Sequence, residues 1–190
     1  MTDNLMIFID GSNLLHASWD YGRLAGQPDY GTSPIRVRDV LAGAKPDPSM
    51  PDRRLVRAYY YGSEDPKSES HTGQCAFYDT LRRAGIDVTI KKIRYYENVK
   101  KEKGVDVALA TDLVYFGLRR FYDVAIIVTG DSDVAGAIER IKDTEATIHI
   151  EIAQFRNAVG DELLKVCDHF YPLNDIAKQI EWKRKTSRTQ

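Results

Sequence analysis

The sequence predicts an α/β fold built on a mostly parallel sheet, and two patterns lead to that prediction. Short apolar segments rich in β-branched residues alternate with segments of helical periodicity, which is typical of βαβ units. The segment Val124–Val128 is apolar at all five positions, as in a strand buried on both faces of a parallel sheet. A length of 190 residues suits one domain, which we place at 1–182, followed by a basic polar tail at 183–190.

Strands and helices are expected to alternate along most of the chain. Apolar runs predict the strands Leu5–Ile9, Leu55–Tyr60, Asp87–Ile90, Val124–Val128, Thr147–Ile152 and His169–Tyr171. Apolar stripes, with glycines at several ends, predict helices at 35–41, 72–84, 105–117, after Asp131, at 161–166 and at 175–182.

The region 26–53, between the first two strands, contains five of the seven prolines. Proline interrupts helices, so this region cannot be one long helix. Long loops in α/β domains often act as lids or binding surfaces, but a tolerated insertion produces the same pattern. Both interpretations remain open at this stage.

Composition excludes several classes of protein. The chain has 27 Lys+Arg and 28 Asp+Glu, so it is not a uniformly basic nucleic-acid binder. A signal peptide or membrane-spanning segment is not recognisable, and we expect a cytoplasmic protein without membrane association. The cysteines Cys75 and Cys167 show no CxxC or Cys/His ligand spacing, and we interpret them as small buried hydrophobes. The histidines are interpreted as structural or surface residues.

An aspartate follows the first predicted strand directly. The segment runs from Ile7 through Asp10 to Ser12 and Asn13, and ligand sites of open α/β sheets lie beyond the carboxyl ends of the strands. A turn or a helix cap would also account for Asp10, because Asp, Ser and Asn are common there.

Three further aspartates open predicted helices, and a fourth lies farther along one of them. Asp131 and Asp133 flank Ser132 directly after the apolar strand, and their like charges would repel unless a cation such as Mg²⁺ bound them. Asp106 lies in the first turn of the helix that starts after Gly104. Asp112, six residues later, is rotated about 120° away, so we expect it behind the site or in solvent.

Together these aspartates predict a metal site at one edge of the sheet. Clustered carboxylates without a Gly-rich phosphate loop suit metal-assisted attack of water on a phosphodiester. The metal lowers the pKa of its bound water and stabilises the charge that develops in the transition state.

Three motifs of the chain resemble those of NYN-domain proteins of the LabA-like type, relatives of the PIN-domain nucleases. They are Phe8–Asn13, Lys103–Asp112 and Thr129–Asp133, and the resemblance extends over about residues 5–173. It implies a Rossmann-like (PIN-like) sheet flanked by helices on both faces, with a ribonuclease site that uses Mg²⁺ or Mn²⁺. Val134 stands where an aromatic residue is common in the family.

The resemblance also implies roles for individual residues. The catalytic and metal-binding acids would be Asp10, Asp106, Asp131 and Asp133. Asn13 would position an acid or the substrate phosphate. The site would be lined by Ser12, Asn13, Ser132 and Asp112.

A basic segment precedes the Asp106 motif. Six basic residues stand against Glu97 and Glu102 between positions 91 and 103, with tyrosines interleaved. Such a segment can follow a phosphate backbone while aromatic rings stack on bases, although lysines also protect exposed sheet edges. The predicted RNA-binding residues are Lys91, Lys92, Arg94, Tyr95, Lys100, Lys101 and Lys103.

The leading hypothesis is therefore a metal-dependent endoribonuclease with RNA as its partner. The alternative is a non-catalytic RNA-binding or regulatory module that retains a metal-binding acidic pocket. A haloacid dehalogenase phosphatase would need an aspartate at position 12, where this chain has Ser12. Dehydrogenases and P-loop enzymes are disfavoured because neither GxGxxG nor GxxxxGK[ST] occurs. A homodimer is left open.

Overall fold

The structure is a computed structural model that describes residues 2–96, 99–101, 103–145 and 147–182, without the side chains of 96 and 99–101. The predicted basic tail at 183–190 lies outside the described residues. The strands are β1 (Thr2–Asp10), β2 (Asp52–Glu64), β3 (Asp87–Lys92), β4 (Arg94–Tyr96), β5 (Val99–Lys101), β6 (Val124–Val128), β7 (His149–Gln154) and β8 (His169–Pro172). The helices are α1 (Gly11–Leu24), α2 (Pro34–Ala42), α3 (His71–Arg83), α4 (Val105–Leu118), α5 (Ala135–Thr144), α6 (Asp161–Val166) and α7 (Ala177–Ile180).

Six strands form one parallel sheet in the order β3-β2-β1-β6-β7-β8. The predicted mostly parallel α/β fold is therefore confirmed. The strand order reverses between β1 and β6, which pair in register from Leu5 opposite Val124 to Ile9 opposite Val128. A crevice forms where the order reverses, at the carboxyl ends of the two strands. The polar segments that follow Ile9 and Val128 therefore emerge side by side.

Each face of the sheet buries its own apolar cluster, and strand alternation explains the division. Leu5, Ile7 and Ile9 point to the face covered by α1, α2, α3 and α7. Met6 and Phe8 point to the opposite face, covered by α4, α5 and α6. Asp10 follows the alternation of Met6 and Phe8, so it leaves β1 on the side of α4.

The proline-containing region 26–53 forms part of the domain and contains α2. Pro34 occupies the first turn of α2, where its missing N–H costs nothing, and Ser33 caps the helix. Val37 and Leu41 of α2 are buried in the core. Ser33 N donates to Ile180 O at 2.8 Å, which ties this region to α7.

The structure differs from the sequence prediction in several elements. Helix α1 was not predicted, because most of its buried positions are small residues such as Ala17 and Ser18, while the large apolar Leu15 and Trp19 are exposed. Strand β2 is longer than predicted at both ends. The predicted helix at 175–182 is a 3₁₀ turn, Leu173–Ile176, followed by the short α7. Strands β4 and β5 form a separate antiparallel hairpin.

No described helix is long and apolar enough to span a lipid bilayer.

Candidate metal and nucleic-acid site

Asp10 ends β1 and caps the helix that follows it. Its Oδ1 accepts a hydrogen bond from Asn13 N at 3.0 Å, and its Oδ2 accepts one from Thr129 Oγ1 at 3.3 Å. The carboxylate also lies at the positive end of the α1 dipole, which favours its charged form. Asp10 is 7% exposed. The helix-cap interpretation and the ligand-site interpretation of Asp10 are therefore compatible, because one of its oxygens caps α1 while the residue lines a cleft.

The end of β6 is built by a similar turn. Thr129 Oγ1 accepts a hydrogen bond from Asp131 N at 3.2 Å, and Asp131 Oδ1 accepts one from Asp133 N at 3.0 Å. Asp131 thus caps the 3₁₀ turn Ser132–Val134 that leads into α5. Because Thr129 contacts both turns, it fixes the carboxyl end of β1 against that of β6.

Asn13 connects the ends of three elements. Its Oδ1 accepts hydrogen bonds from Gly130 N at 2.8 Å and from Gln154 Nε2 at 2.7 Å. Gly130 follows β6 and Gln154 ends β7, while Asn13 itself belongs to α1. A side chain at Gly130 would place its Cβ 1.6 Å from Ala158 O, so only glycine fits at this junction. Asn13 therefore holds the turns of the crevice at a fixed separation.

Asp106 reaches the same region from the opposite wall. It lies in the first turn of α4, which Gly104 caps with a φ of 84°. This left-handed conformation is unfavourable for residues with a Cβ, so glycine allows the chain to turn sharply from Lys103 into the helix. Asp106 is exposed, and its carboxylate lies at the positive end of the α4 dipole.

These elements enclose an acidic cleft of about 360 Å³. Its aspartates are Asp10, Asp106 and Asp131, one from each of three structural elements. The remaining walls come from the first turns of α1 and from the start of α4. Those residues are Ser12, Asn13, His16, Lys103, Gly104 and Val105.

The three aspartates of the acidic cleft do not bring their carboxylate oxygens into one close group. Among the described residues, the only group of three His, Cys or acidic side chains with ligand atoms all within 4.8 Å of one another is Glu64, His71 and Cys75. The cleft is therefore not a closed protein cage. Magnesium rarely uses such a cage, because it keeps several waters and binds through one or two carboxylates plus substrate phosphates.

Three predicted site residues do not line the acidic cleft. Asp133 is exposed on the 3₁₀ turn, and its backbone supports Asp131. Ser132 packs towards Gly160, where an added Cβ would lie 2.2 Å from Ser132 Oγ. Asp112 is half-buried one to two turns along α4, behind the cleft.

Asp112 pairs with a buried tyrosine. Tyr61 Oη donates to Asp112 Oδ2 at 2.9 Å. Burial, reinforced by the negative charge of Asp112, raises the pKa of Tyr61 far above its ordinary value. Tyr61 is thus a neutral donor whose hydrogen bond to Asp112 anchors α4 to β2. Asp112 therefore supports the position of α4 and does not line the cleft.

A basic depression of about 380 Å³ adjoins the acidic cleft. Lys91, Lys92 and Arg94 line it together with Lys103 and Gly104, which also line the cleft. The two hollows therefore share a wall. The predicted RNA-binding side chains of Lys100 and Lys101 lie outside the described residues.

Tyr95 is held by its neighbours beside this depression. Its Oη donates to Asp65 Oδ2 at 2.6 Å, and Lys67 Nζ lies 4.6 Å from the centre of its ring. The hydrogen bond to Asp65 raises the pKa of Tyr95. The hydroxyl group of Tyr95 is therefore already engaged in a hydrogen bond within the protein.

Sequence reasoning missed His16 as a residue of the cleft. His16 lies on α1 one turn after Asn13, and its exposed ring packs edge-on against Trp19 at 5.4 Å between centroids. The spacing Asn13-x-x-His16 would have revealed it, because residues three apart on a helix share a face. That signal depends on recognising α1 as a helix.

The cysteines also differ from their prediction. Cys75 and Cys167 are half-buried rather than buried. Cys75 Sγ lies 3.7 Å from His71 Nε2, because the two residues are one turn apart on α3.

Comparisons with known proteins agree with this architecture. The NYN domain family model matches residues 4–174. A crystal structure of a protein of unknown function from Vibrio parahaemolyticus matches with a TM-score of 0.69 and 17% identity, covering 95% of this chain and 96% of that chain. At this identity the match shows the fold alone. A comparison with curated proteins finds no match.

The fold and the family match therefore define a nuclease-like α/β domain of the PIN-like type. The chain belongs to the NYN domain family.

Proposed function

We propose that the protein is a metal-dependent endoribonuclease. The observation that carries this proposal is the junction of two hollows of opposite charge. Asp10, Asp106 and Asp131 face one cleft, and Lys103 joins that cleft to a depression lined by further lysines and an arginine. Phosphodiester hydrolysis needs both, since carboxylates hold the metal and cations hold the phosphate backbone.

The donors of the cleft fit Mg²⁺ or Mn²⁺. They are carboxylate oxygens, which hard divalent cations prefer, and Asp10, Asp106 and Asp131 would hold the ion with Asp133 beside them. When bound, the ion would activate water and stabilise the charge that develops on the phosphate. Ser12 and Asn13 would orient the carboxylates, while Ser132 and Asp112 would support the turn and the helix that carry them.

The basic residues would position the RNA. Lys103 would contact the phosphate nearest the carboxylates, and Lys91, Lys92 and Arg94 would follow the backbone away from the cleft. Lys100, Lys101 and Tyr95 belong to the same proposed surface. The ring N–H of His16 would hydrogen-bond to a phosphate oxygen at the mouth of the cleft. The LabA-like subtype, a cytoplasmic location and homodimerisation remain predictions.

The proposal is tested with Asp10→Asn. Asparagine still caps α1, because its side-chain oxygen accepts from Asn13 N, so the fold should be retained. Cleavage of single-stranded or structured RNA with Mn²⁺ or Mg²⁺ should fall by about 100-fold or more, as expected when a metal ligand is lost. The matched control is Asp20→Asn, on the same helix, where Asp20 is exposed and pairs with Arg23.

Undiminished cleavage by Asp10→Asn, or an equal loss in Asp20→Asn, would refute the proposal. The open spacing of the acids favours a second candidate, a non-catalytic RNA-binding module. Retention of RNA by the wild type without cleavage at any concentration of divalent ion would establish that module instead.

A further inference from the structure

A second group of metal-ligating side chains lies at the end of β2. Glu64 is the last residue of β2, and His71 begins α3 after the loop at 65–70. Cys75 is one helical turn beyond His71, so the two side chains share a face of α3. The ligand atoms of Glu64, His71 and Cys75 all lie within 4.8 Å of one another. All three side chains are half-buried, which removes part of the competing water.

Their spacing approaches that of a tetrahedral metal site. Zinc binds sulfur at about 2.3 Å and nitrogen or oxygen at about 2.0–2.2 Å, so neighbouring ligand atoms lie about 3.4–3.6 Å apart. Cys75 Sγ and His71 Nε2 are 3.7 Å apart. The sulfur also lies 4.0 Å from His71 Nδ1, so it stands beside the ring, and the imidazole must turn to aim one nitrogen at an ion shared with Cys75. The Glu64 carboxylate must also move towards the other two ligand atoms, since the three atoms lie within 4.8 Å of one another and a shared ion needs them closer.

The ligand types select a different metal from that of the acidic cleft. A thiolate and an imidazole favour a borderline or soft ion such as Zn²⁺, whereas the cleft presents carboxylate oxygens suited to Mg²⁺ or Mn²⁺. The two sites also lie on different strands, since Glu64 ends β2 and Asp10 ends β1.

A metal here would close the loop between β2 and α3. That loop already contacts the β4–β5 hairpin, because Asp65 Oδ2 accepts from Tyr95 Oη at 2.6 Å. Asp65 Oδ1 accepts from Lys67 N at 3.0 Å within the loop itself. An ion held by Glu64, His71 and Cys75 would therefore fix the start of α3 against the segment that supports Tyr95. A ligand that binds only the folded chain stabilises it by mass action.

We propose that Glu64, His71 and Cys75 bind one divalent transition-metal ion of the zinc class, at a second site independent of the acidic cleft. Three protein ligands leave a fourth position for water, as in open zinc sites. The site requires neither RNA nor catalytic activity.

The test uses the full chain, stripped of metal with a chelator and titrated with Zn²⁺ alone and with Co²⁺ alone. The wild type should bind one Zn²⁺ per chain and rise in melting temperature. The Co²⁺ complex of the wild type should show a sulfur-to-cobalt charge-transfer band. This measurement tests the site without any variant. Cys75→Ser should abolish that band, and both Cys75→Ser and His71→Ala should lower the affinity for Zn²⁺ by at least about 100-fold.

Two controls separate this site from other features of the chain. Cys167→Ser removes the other half-buried cysteine and should leave Zn²⁺ affinity and the cobalt band unchanged. Asp10→Asn removes an acid of the cleft and should also leave both unchanged, even if it abolishes RNA cleavage. Circular dichroism of the metal-free variants checks that each is folded, and Glu64→Gln provides a third ligand variant.

A Co²⁺ complex of the wild type without the sulfur band would overturn the proposal. So would unchanged Zn²⁺ affinity in a folded His71→Ala/Cys75→Ser double variant. Either result would reduce the contact between Cys75 and His71 to a thiol–imidazole hydrogen bond.

Discussion

Carboxylates occur in two contrasting regions of the sheet. Glu151, in the middle of β7, is fully buried and receives two hydrogen bonds from Arg53, at 2.7 and 2.9 Å. Asp106 and Asp131 face an open cleft, and within the described part of the chain no ion pair joins either of them to a basic residue. The same chemical group is thus neutralised in one region and left available in the other.

The difference indicates what each region does. A buried carboxylate must be paired, because the interior does not solvate its charge, so Glu151 and Arg53 serve the fold. Carboxylates at the rim remain hydrated and can exchange water for a cation. Their placement at the reversal of strand order is where ligands bind in open α/β sheets. The acidic cleft is therefore suited to a ligand, whereas the buried pair is not.

Loss of the buried pair should give the largest effect on stability. Glu151→Gln keeps the shape of the side chain but leaves the Arg53 guanidinium buried without a counter-charge. We expect a loss of about 3–5 kcal/mol in the free energy of unfolding, measured by urea denaturation. Asp87→Asn is the matched control, because the Arg57–Asp87 pair is exposed and spans 2.8 Å. Equal losses in the two variants would contradict the contrast between buried and exposed carboxylates.

Acid should weaken the fold through the same pair. Burial alone would raise the pKa of Glu151, but its polar contacts with His149 and Arg53 outweigh burial and hold the pKa below the ordinary 4.5. Because the folded pKa is lowered, Glu151 contributes stability that is fully present above about pH 4.5 and is lost as pH falls through the folded value. Tyr171 also faces Glu151, and Asp168 faces His149 from its other ring nitrogen.

The measurement is the free energy of unfolding against pH. Below pH 4.5 the wild type should lose stability more steeply than Glu151→Gln, which cannot titrate at that position. Parallel curves for the two proteins would show that Glu151 makes no such contribution.

A smaller effect, on RNA binding, is expected from the loss of Lys103, which lines both the acidic cleft and the basic depression. Lys103→Ala should weaken RNA binding by roughly tenfold or less and reduce the salt dependence of binding, because one phosphate contact is lost. The fold should not change, since Lys103 is exposed. Lys178→Ala, an exposed lysine on α7, is the control and should bind RNA as the wild type does. Identical salt dependence in wild type and Lys103→Ala would remove Lys103 from the interface.

Sequence predicted the centre of the fold better than its margins. Val124–Val128 was predicted with its observed bounds, because a fully apolar strand needs no information from its neighbours. Strand β2 continues to Glu64 because its polar end pairs with β3 at Lys92, which only the tertiary structure reveals. Helix α1 was missed because Gly11, Ser12 and Asn13 are equally typical of a turn.

The same limits apply to the candidate site. Parallel strands place their carboxyl ends together, so the meeting of Asp10 and Asp131 could be anticipated from order alone. His16 could not be anticipated without α1. The group of Glu64, His71 and Cys75 was missed because the predicted helix began at residue 72, which hid the helical spacing of His71 and Cys75, and because Glu64 was not predicted to be in a strand.

Crystals of the protein soaked in Mn²⁺ test the central claim most directly, because anomalous scattering locates the ion. The expected result is an anomalous peak in the acidic cleft within about 2.0–2.6 Å of oxygens from Asp10 and Asp131, with Asp106 adjacent. The peak should disappear in Asp10→Asn crystals. A wild-type cleft without Mn²⁺, or carboxylates of Asp10, Asp106 and Asp131 more than about 8 Å apart, would contradict the account.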